Sequence, residues 1–437
     1  MKVLKMRLLI LLVLLSFTTL AQANPDIKHW QTEKGLRVYY EKSPELPMLD
    51  IRLVFDAGSA RDGDKPGLAS LTSGQVFNGT KDMGLETIAE RLDDVGAVYG
   101  SGSLRDMAWI KLRTLTRKES QAQALDTFLK VLAGPSFPQK DFARAQKQAL
   151  ISLKAEEQSP AQIASKAFYK AVYGDHPYAS PVSGTPESVA AIRRQDLADF
   201  YHRYYVAANA ILVIVGDVDE AGAHELAQRI DAVLVPGEKA PDLPPVPELK
   251  EAKKVYIPFP SEQAHVFIGQ PGMLRGDKDY FPLYVGNHVL GGSGFTSRLV
   301  KEIRSKRGLA YSVYSYFLPM HVKGPFIAGL QTKVDQTDEA VDLVFDTIKK
   351  YREEGPTKKE LKASKQNITG GFPLRVASNS DRVDYLGLIG FYQLSLNYLD
   401  EFTPQVEAVT AEQIREAWQR RIHPERMVTV IVGGKGK

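Results

Sequence analysis

PGEKAPDLPPVP, residues 236 to 247, holds proline at 236, 241, 244, 245 and 247. Proline fixes φ and removes a backbone donor, so this stretch continues neither a helix nor a central strand and reads as a stiff, extended connector. It falls near the middle of a 437-residue chain, a length beyond one ordinary core and suited to two domains. The sequences on either side resemble each other. Gly63-Asp64-Lys65 faces Gly276-Asp277-Lys278 at an offset of 213, Gly96-Ala97-Val98-Tyr99 faces Gly308-Leu309-Ala310-Tyr311 at 212, and Val213-Ile214-Val215-Gly216 faces Val430-Ile431-Val432-Gly433 at 217. Three matches in one order, with offsets drifting by a few residues, describe a duplicated unit. The expected units are 24–235 and 251–437, joined by a linker over 236–250.

The two halves also share a pattern of elements. IRLVFDAGSA (51–60) and AHVFIGQPGM (264–273) alternate as half-buried strands do. LETIAERLDDVG (85–96) and TSRLVKEIRSKRG (296–308) each carry apolar residues at helical spacing and stop at a glycine. Longer helices are expected over 118–133, 139–158, 161–173, 193–205, 335–354, 357–369 and 410–421. Each half closes on an apolar strand, ILVIVGDV and MVTVIVGG.

The opening residues, MKVLKMRLLILLVLLSFTTLAQAN, place Lys2, Lys5 and Arg7 before an apolar run and end it with Ala21-Gln22-Ala23. That is the layout of a secretory signal peptide, residues 1–23, whose style implies export to a bacterial periplasm. The apolar run is short for a membrane span, and no later segment reaches that length, so no membrane span is expected after its removal. Formal charge is +4; the three signal-segment cations account for three of it, leaving +1. That balance gives no electrostatic footprint for nucleic acid. The chain has no cysteine, which excludes thiol nucleophiles, cysteine zinc sites and disulfide staples.

Several motifs occur in order: GSxxD (58–62), GLA (67–69), FNGT (77–80), GAVYGSG (96–102), SLRDMAW (103–109), YGDHPYASPVSGTPESV (173–189) and, in the second half, GGSGFTSRLVKEIRSKRGLAYSVYS (291–315). Together they resemble the pitrilysin/insulinase metallopeptidases, the inverzincins, across essentially the whole chain past the signal segment. The resemblance implies an α+β fold of two homologous domains, each a mixed, mostly antiparallel sheet packed with helices, arranged as a clamshell.

Active members of that family carry H-x-x-E-H on a helix, two imidazoles binding zinc and a glutamate activating water, with a distal glutamate as third ligand. Aligned by its neighbours, the motif falls on Ser70, Ser73 and Gly74, and the distal ligand falls on Ser152, with Glu156 and Glu157 within one helical turn. Serine is a poor zinc ligand beside imidazole or carboxylate, and glycine has no side chain to offer. None of the eight histidines, at 29, 176, 202, 224, 265, 288, 321 and 423, stands four residues from another. A serine-hydrolase reading fails as well, because Ser293 in GGSGF does not make a G-x-S-x-G elbow.

The second half keeps what the first lacks. Family members hold substrate and stabilise the oxyanion with an Arg and a Tyr seven residues apart, and Arg304 and Tyr311 match that pair. A guanidinium and a phenol both donate hydrogen bonds of the kind that stabilise an oxyanion. The plainer reading has Arg304, with Lys306 and Arg307, complementing a helix C-terminus capped at Gly308, and Tyr311 packing on a sheet face. The resemblance implies a chain that binds no cofactor itself. It would supply Arg304 and Tyr311 to a sister subunit bearing H-x-x-E-H and zinc, in proteolysis of extended peptides. Segments 96–104 and 311–317, with Tyr314, Tyr316 and Phe317, are the candidate peptide-binding edges. The alternative is a peptide-binding or scaffold protein of the same fold with no catalytic partner.

Overall fold

The structure, a computed structural model, describes residues 26–434; the expected signal peptide, residues 1–23, falls outside them. A first sheet holds β1 (Lys28–Gln31), β2 (Arg37–Lys42), β3 (Met48–Phe55), β4 (Val98–Ser103), β5 (Ala108–Leu115) and β6 (Ala210–Gly216) in the order β1-β2-β6-β3-β5-β4. A second holds β7 (Lys253–Ile257), β8 (Gln263–Pro271), β9 (Ala310–Phe317), β10 (Pro325–Lys333) and β11 (Val428–Val432) in the order β7-β11-β8-β10-β9. Apart from β1 the two orders superpose strand for strand. In each, one parallel pair, β2 with β6 and β7 with β11, stands beside antiparallel neighbours. Both sheets are therefore mixed and mostly antiparallel.

Matched glycines explain the matched sequences. Gly63 and Gly276 lie at φ +60° and +80°, Gly96 and Gly308 at +65° and +66°, and Gly216 and Gly433 at +147° and +150°. Side-chain-bearing residues rarely adopt such angles, so glycine recurs where the repeated backbone turns the same way.

Fourteen α-helices occur among the described residues. In the first half these are α1 (Leu68–Ser73), α2 (Leu85–Asp93), α3 (Lys118–Ala133), α4 (Gln139–Glu156), α5 (Pro160–Tyr173), α6 (Pro186–Ala191), α7 (Arg194–Tyr204) and α8 (Glu220–Val233). In the second half they are α9 (Tyr280–Asn287), α10 (Thr337–Glu354), α11 (Lys358–Gly371), α12 (Asn379–Phe391), α13 (Tyr398–Ala408) and α14 (Ala411–Arg421).

The halves exchange helices. α5, from the first half, packs on β8 and β11 of the second sheet, with Phe168 against Phe267 and its apolar face in one cluster with Ile327, Val428 and Val430. α12, from the second half, packs on β3 and β6 of the first sheet, placing Val383, Leu386 and Ile389 with Val54, Ile211 and Val213. This exchange corrects the half-buried reading of residues 51–60. β3 is buried on both faces along most of its length, because a helix from the other half covers the side that alternation left for water. The strand also ends at Phe55, and residues 59–61 form a 3₁₀ turn.

Polar contacts close the same seam. Arg382 on α12 pairs with buried Glu41, and Ser43 Oγ donates to Asn379 Oδ1 at 2.8 Å. Buried Asp106 accepts from Tyr178 Oη in its own half, and from Tyr392 Oη at 2.9 Å and the His321 N–H at 2.7 Å in the other. The proline-rich connector is pinned to the body: the Pro241 carbonyl accepts from Arg61 at 2.7 Å, and the Pro244 carbonyl lies 2.9 Å from His176 Nε2.

Candidate functional site

The zinc-motif positions sit on α1 and its end. Asp62 caps this helix from outside, its two carboxylate oxygens accepting the Gly67 and Ala69 N–H groups at 2.7 Å each. Burial pushes the Asp62 carboxyl up to about 7, against the opposing pull of those two bonds. Ser73 is buried, its hydroxyl donating to the Ser70 carbonyl at 3.2 Å while its own carbonyl accepts Ser101 Oγ at 2.6 Å. Gly74 caps the helix C-terminus. The two serines therefore neither cap the helix N-terminus nor present a ligand set.

Ser152 is exposed on α4. Glu156, one turn on, is held by Lys166 at 2.6 Å and by the Ser183 hydroxyl at 3.1 Å. Among the described residues no cluster of three His, Cys, Asp or Glu side chains could hold a metal. Two hydroxyls and a bare Cα do not fit zinc, and no step through zinc is assigned to this chain. Several histidines are occupied elsewhere: His29 with the Val38 carbonyl, His176 with the Pro244 carbonyl, His224 stacked on Trp30, and His288 with Ser364 and Asn367.

Arg304 and Tyr311 are brought together at two irregularities of the backbone. The expected helix over 296–308 is instead a 3₁₀ turn at Gly294–Thr296 followed by π-helical winding over Val300–Ser305, closed by Gly308. The Lys306 N–H accordingly bonds the Lys301 carbonyl, five residues back, at 3.0 Å. In the strand that follows, Ala310 pairs with Thr332 and Ser312 with Gln331, so Tyr311 has no counterpart and forms a β-bulge. A bulge re-aims a side chain that regular pleating would place elsewhere, and Tyr311 stands 75% exposed. The Arg304 guanidinium lies 5.7 Å from the Tyr311 ring centre and 5.1 Å from that of Phe295, which is itself 76% exposed.

The neighbouring cations behave differently. Lys306 pairs with Glu302 at 2.6 Å, and Arg307 donates to the Glu302 carbonyl at 3.0 Å. Those two serve the helix end, whereas Arg304 lies between two exposed aromatic rings. Phe295 was not singled out by sequence reasoning, and its place directly after the Gly294 turn was the available signal.

The candidate edges are outer strands. β4 and β9 each end their sheet, and each carries an unpaired row of backbone groups. On β9, Tyr314 and Tyr316 share one face with rings 6.0 Å apart, while Val313 and Ser315 point inward.

Comparison with known proteins fixes the family. The family model for Insulinase (Peptidase family M16) matches residues 37–186, and that for the Peptidase M16 inactive domain matches 191–368. The crystal structure of a peptidase M16 inactive domain from Pseudomonas fluorescens is 36% identical with a TM-score of 0.91, over 94% of this chain and 99% of that one. The chain belongs to the M16 peptidase family. Among M16 relatives, a non-peptidase homolog, YmxG, from Helicobacter pylori is 28% identical over 92% of each chain. An uncharacterized zinc protease, YmxG, from Bacillus subtilis is 25% identical over 94% of this chain and 99% of its own. With no ligand set at the M16 zinc positions and a match to the inactive-domain model, the chain is an inactive M16 homologue.

Proposed function

We propose that this chain is the exported, zinc-free subunit of a two-chain M16 peptidase. In this reading it lends Arg304 and Tyr311 to the active site of a partner carrying H-x-x-E-H and zinc. The observation that carries it is the pairing of π-turn and bulge, two departures from regular backbone that bring a half-buried arginine together with one exposed phenol. π-Turns and bulges recur at functional sites. Leaving two aromatic rings and a cation on the surface gains the isolated chain little. A peptide carbonyl or developing oxyanion at that surface would receive charge-assisted hydrogen bonds from the guanidinium and another from the phenol. The free edges of β4 and β9 suit an extended peptide, which favours unfolded substrates over folded ones.

Gentle purification of the tagged chain from the periplasm of its host, with mass spectrometry of what accompanies it, tests the reading. A near-stoichiometric partner bearing H-x-x-E-H, and a mature N-terminus at Asn24, are the expected results. A chain that comes alone or as a homodimer would sink the split-site reading and leave a peptide-binding or scaffold protein of the same fold.

A further inference from the structure

A cavity of about 340 Å³ lies in the seam between the halves, away from Arg304, Tyr311 and Phe295, none of which lines it. Its walls are mainly apolar, with Val54 and Met107 from the first half facing Met320 and Leu388 from the second. Three arginines and two aspartates interrupt those walls. Arg52 is ion-paired with Asp384. Asp106 is filled by its two tyrosine hydroxyls and the His321 N–H. Arg105 donates to the Tyr178 and Ser180 carbonyls at 3.0 and 3.4 Å and lies over the Tyr169 ring.

Arg275 is the member left over. Among the described residues no carboxylate lies within ion-pairing distance of it, and its buried Nε has no acceptor. Its guanidinium rests 5.7 Å from the Tyr280 ring centre and 5.5 Å from that of Tyr392, with one long contact of 3.5 Å to Tyr280 Oη. With that single long hydrogen bond the planar fork is left almost unpaired, and its terminal nitrogens match a carboxylate. A buried donor without an acceptor is costly until one arrives. The cavity falls in the size range of small-molecule sites, which pair apolar walls with a few oriented polar groups.

We propose that the seam cavity binds a carboxylate on a compact apolar body, the carboxylate seated on Arg275 and the body among Val54, Met107, Met320 and Leu388. Both a free small acid and the C-terminal residue of a peptide present this chemistry. Because the walls come from both halves, such a ligand also stabilises their joined state.

Calorimetric titration of the mature chain with N-acetyl-leucine and with its amide tests the proposal, alongside a hexapeptide ending in leucine with a free or amidated C-terminus. The free acid is expected to bind at least about tenfold more tightly than the amide. Arg275→Gln is expected to erase that preference. Leu388→Trp, which fills the cavity without touching its charge, is expected to abolish binding, and it decides the matter should the arginine variant not fold. Binding of the single-residue acid alone points to a small acid as the natural ligand; binding of the free-ended peptide as well points to a chain end. Equal affinity for acid and amide, no binding of either acid at millimolar concentration, or a preference that survives Arg275→Gln would each overturn the proposal.

Discussion

Tyr311 lacks a strand partner, and its phenol separates two roles that its ring does not. Tyr311→Phe keeps an aromatic ring 5.7 Å from Arg304 and removes one donor. In the proposed two-chain enzyme it is expected to lower kcat about tenfold to a hundredfold, with the thermal midpoint of the chain unchanged. An unaltered kcat would return Tyr311 to packing. Arg304→Ala is expected to cost the isolated chain about 1 kcal/mol, as for a partly exposed cation–π pair, and to lower kcat of that enzyme further. Asp62 makes a different prediction. Its folded pKa of about 7 stands above the ordinary carboxylate value, so the folded state holds the proton more tightly than the unfolded. The resulting stabilisation is complete below about pH 4 and lost as pH rises through 7. Asp62→Asn is expected to flatten the dependence of thermal midpoint on pH between 4 and 8. A midpoint that instead climbed through this window in the parent chain would show the sign to be wrong.

At the scale of elements, the segment bearing Arg304 is anchored from one side. Arg298, just before the π-turn, makes two bonds to Glu360, at 2.9 and 2.7 Å, and a third to the Gly355 carbonyl at 2.9 Å. Glu360 also caps α11 through Thr357. Burial alone would raise the Glu360 carboxyl, but Arg298 and the Thr357 N–H and hydroxyl outweigh it and hold the group down to about 2. The depressed value stabilises the fold above about pH 4.5, and that contribution disappears as pH falls towards 2. Glu360→Gln is expected to destabilise the chain by about 2 kcal/mol at neutral pH, the scale of lost charge-assisted bonds. It is also expected to speed amide exchange over residues 298–309. Exchange confined to α11 would show that the anchor does not reach the Arg304 turn. Element reading from sequence recovered self-packed and exchanged helices alike: the expected 118–133 helix is α3 with the same ends, and the expected 161–173 helix is α5 to within a residue. It missed α8, α9, α12 and α13, and in α12 Gly387 and Gly390 weaken the helical signal.

For the whole molecule, those glycines show what the exchange requires. A Cβ on Gly390 would stand 2.6 Å from the Tyr39 ring and 2.8 Å from Ile211 Cγ2. Glycine to alanine ordinarily favours a helix by up to about 1 kcal/mol. Here the clash with the first sheet is expected to reverse the sign, for a net loss of about 1 to 3 kcal/mol. Thermal unfolding of Gly390→Ala checks this, and a gain in midpoint would mean that α12 sits loosely. Because each sheet is covered by a helix of the other half, residues 24–235 and 251–437 produced separately are each expected to expose an apolar sheet face and remain unfolded or aggregated. Produced together, they are expected to assemble. Independent cooperative melting of either half would show the exchange to be dispensable.

Residue order alone determined the duplication, because the two halves turn at glycines of matching φ and such turns tolerate few substitutes. It also determined the loss of the zinc site, since no folding of Ser70, Ser73 and Gly74 supplies imidazole or carboxylate where the sequence has none. Tertiary structure decided the rest. Alternation along β3 could not reveal a second covered face, because the covering helix lies more than three hundred residues away. The seven-residue spacing of Arg304 and Tyr311 could not reveal their juxtaposition or the exposure of Tyr311, which a π-turn and an unpaired strand residue create through hydrogen bonds made by their neighbours. The cavity beside Arg275 exists only because two halves, distant in sequence, meet there, and neither brings a carboxylate within ion-pairing distance of it.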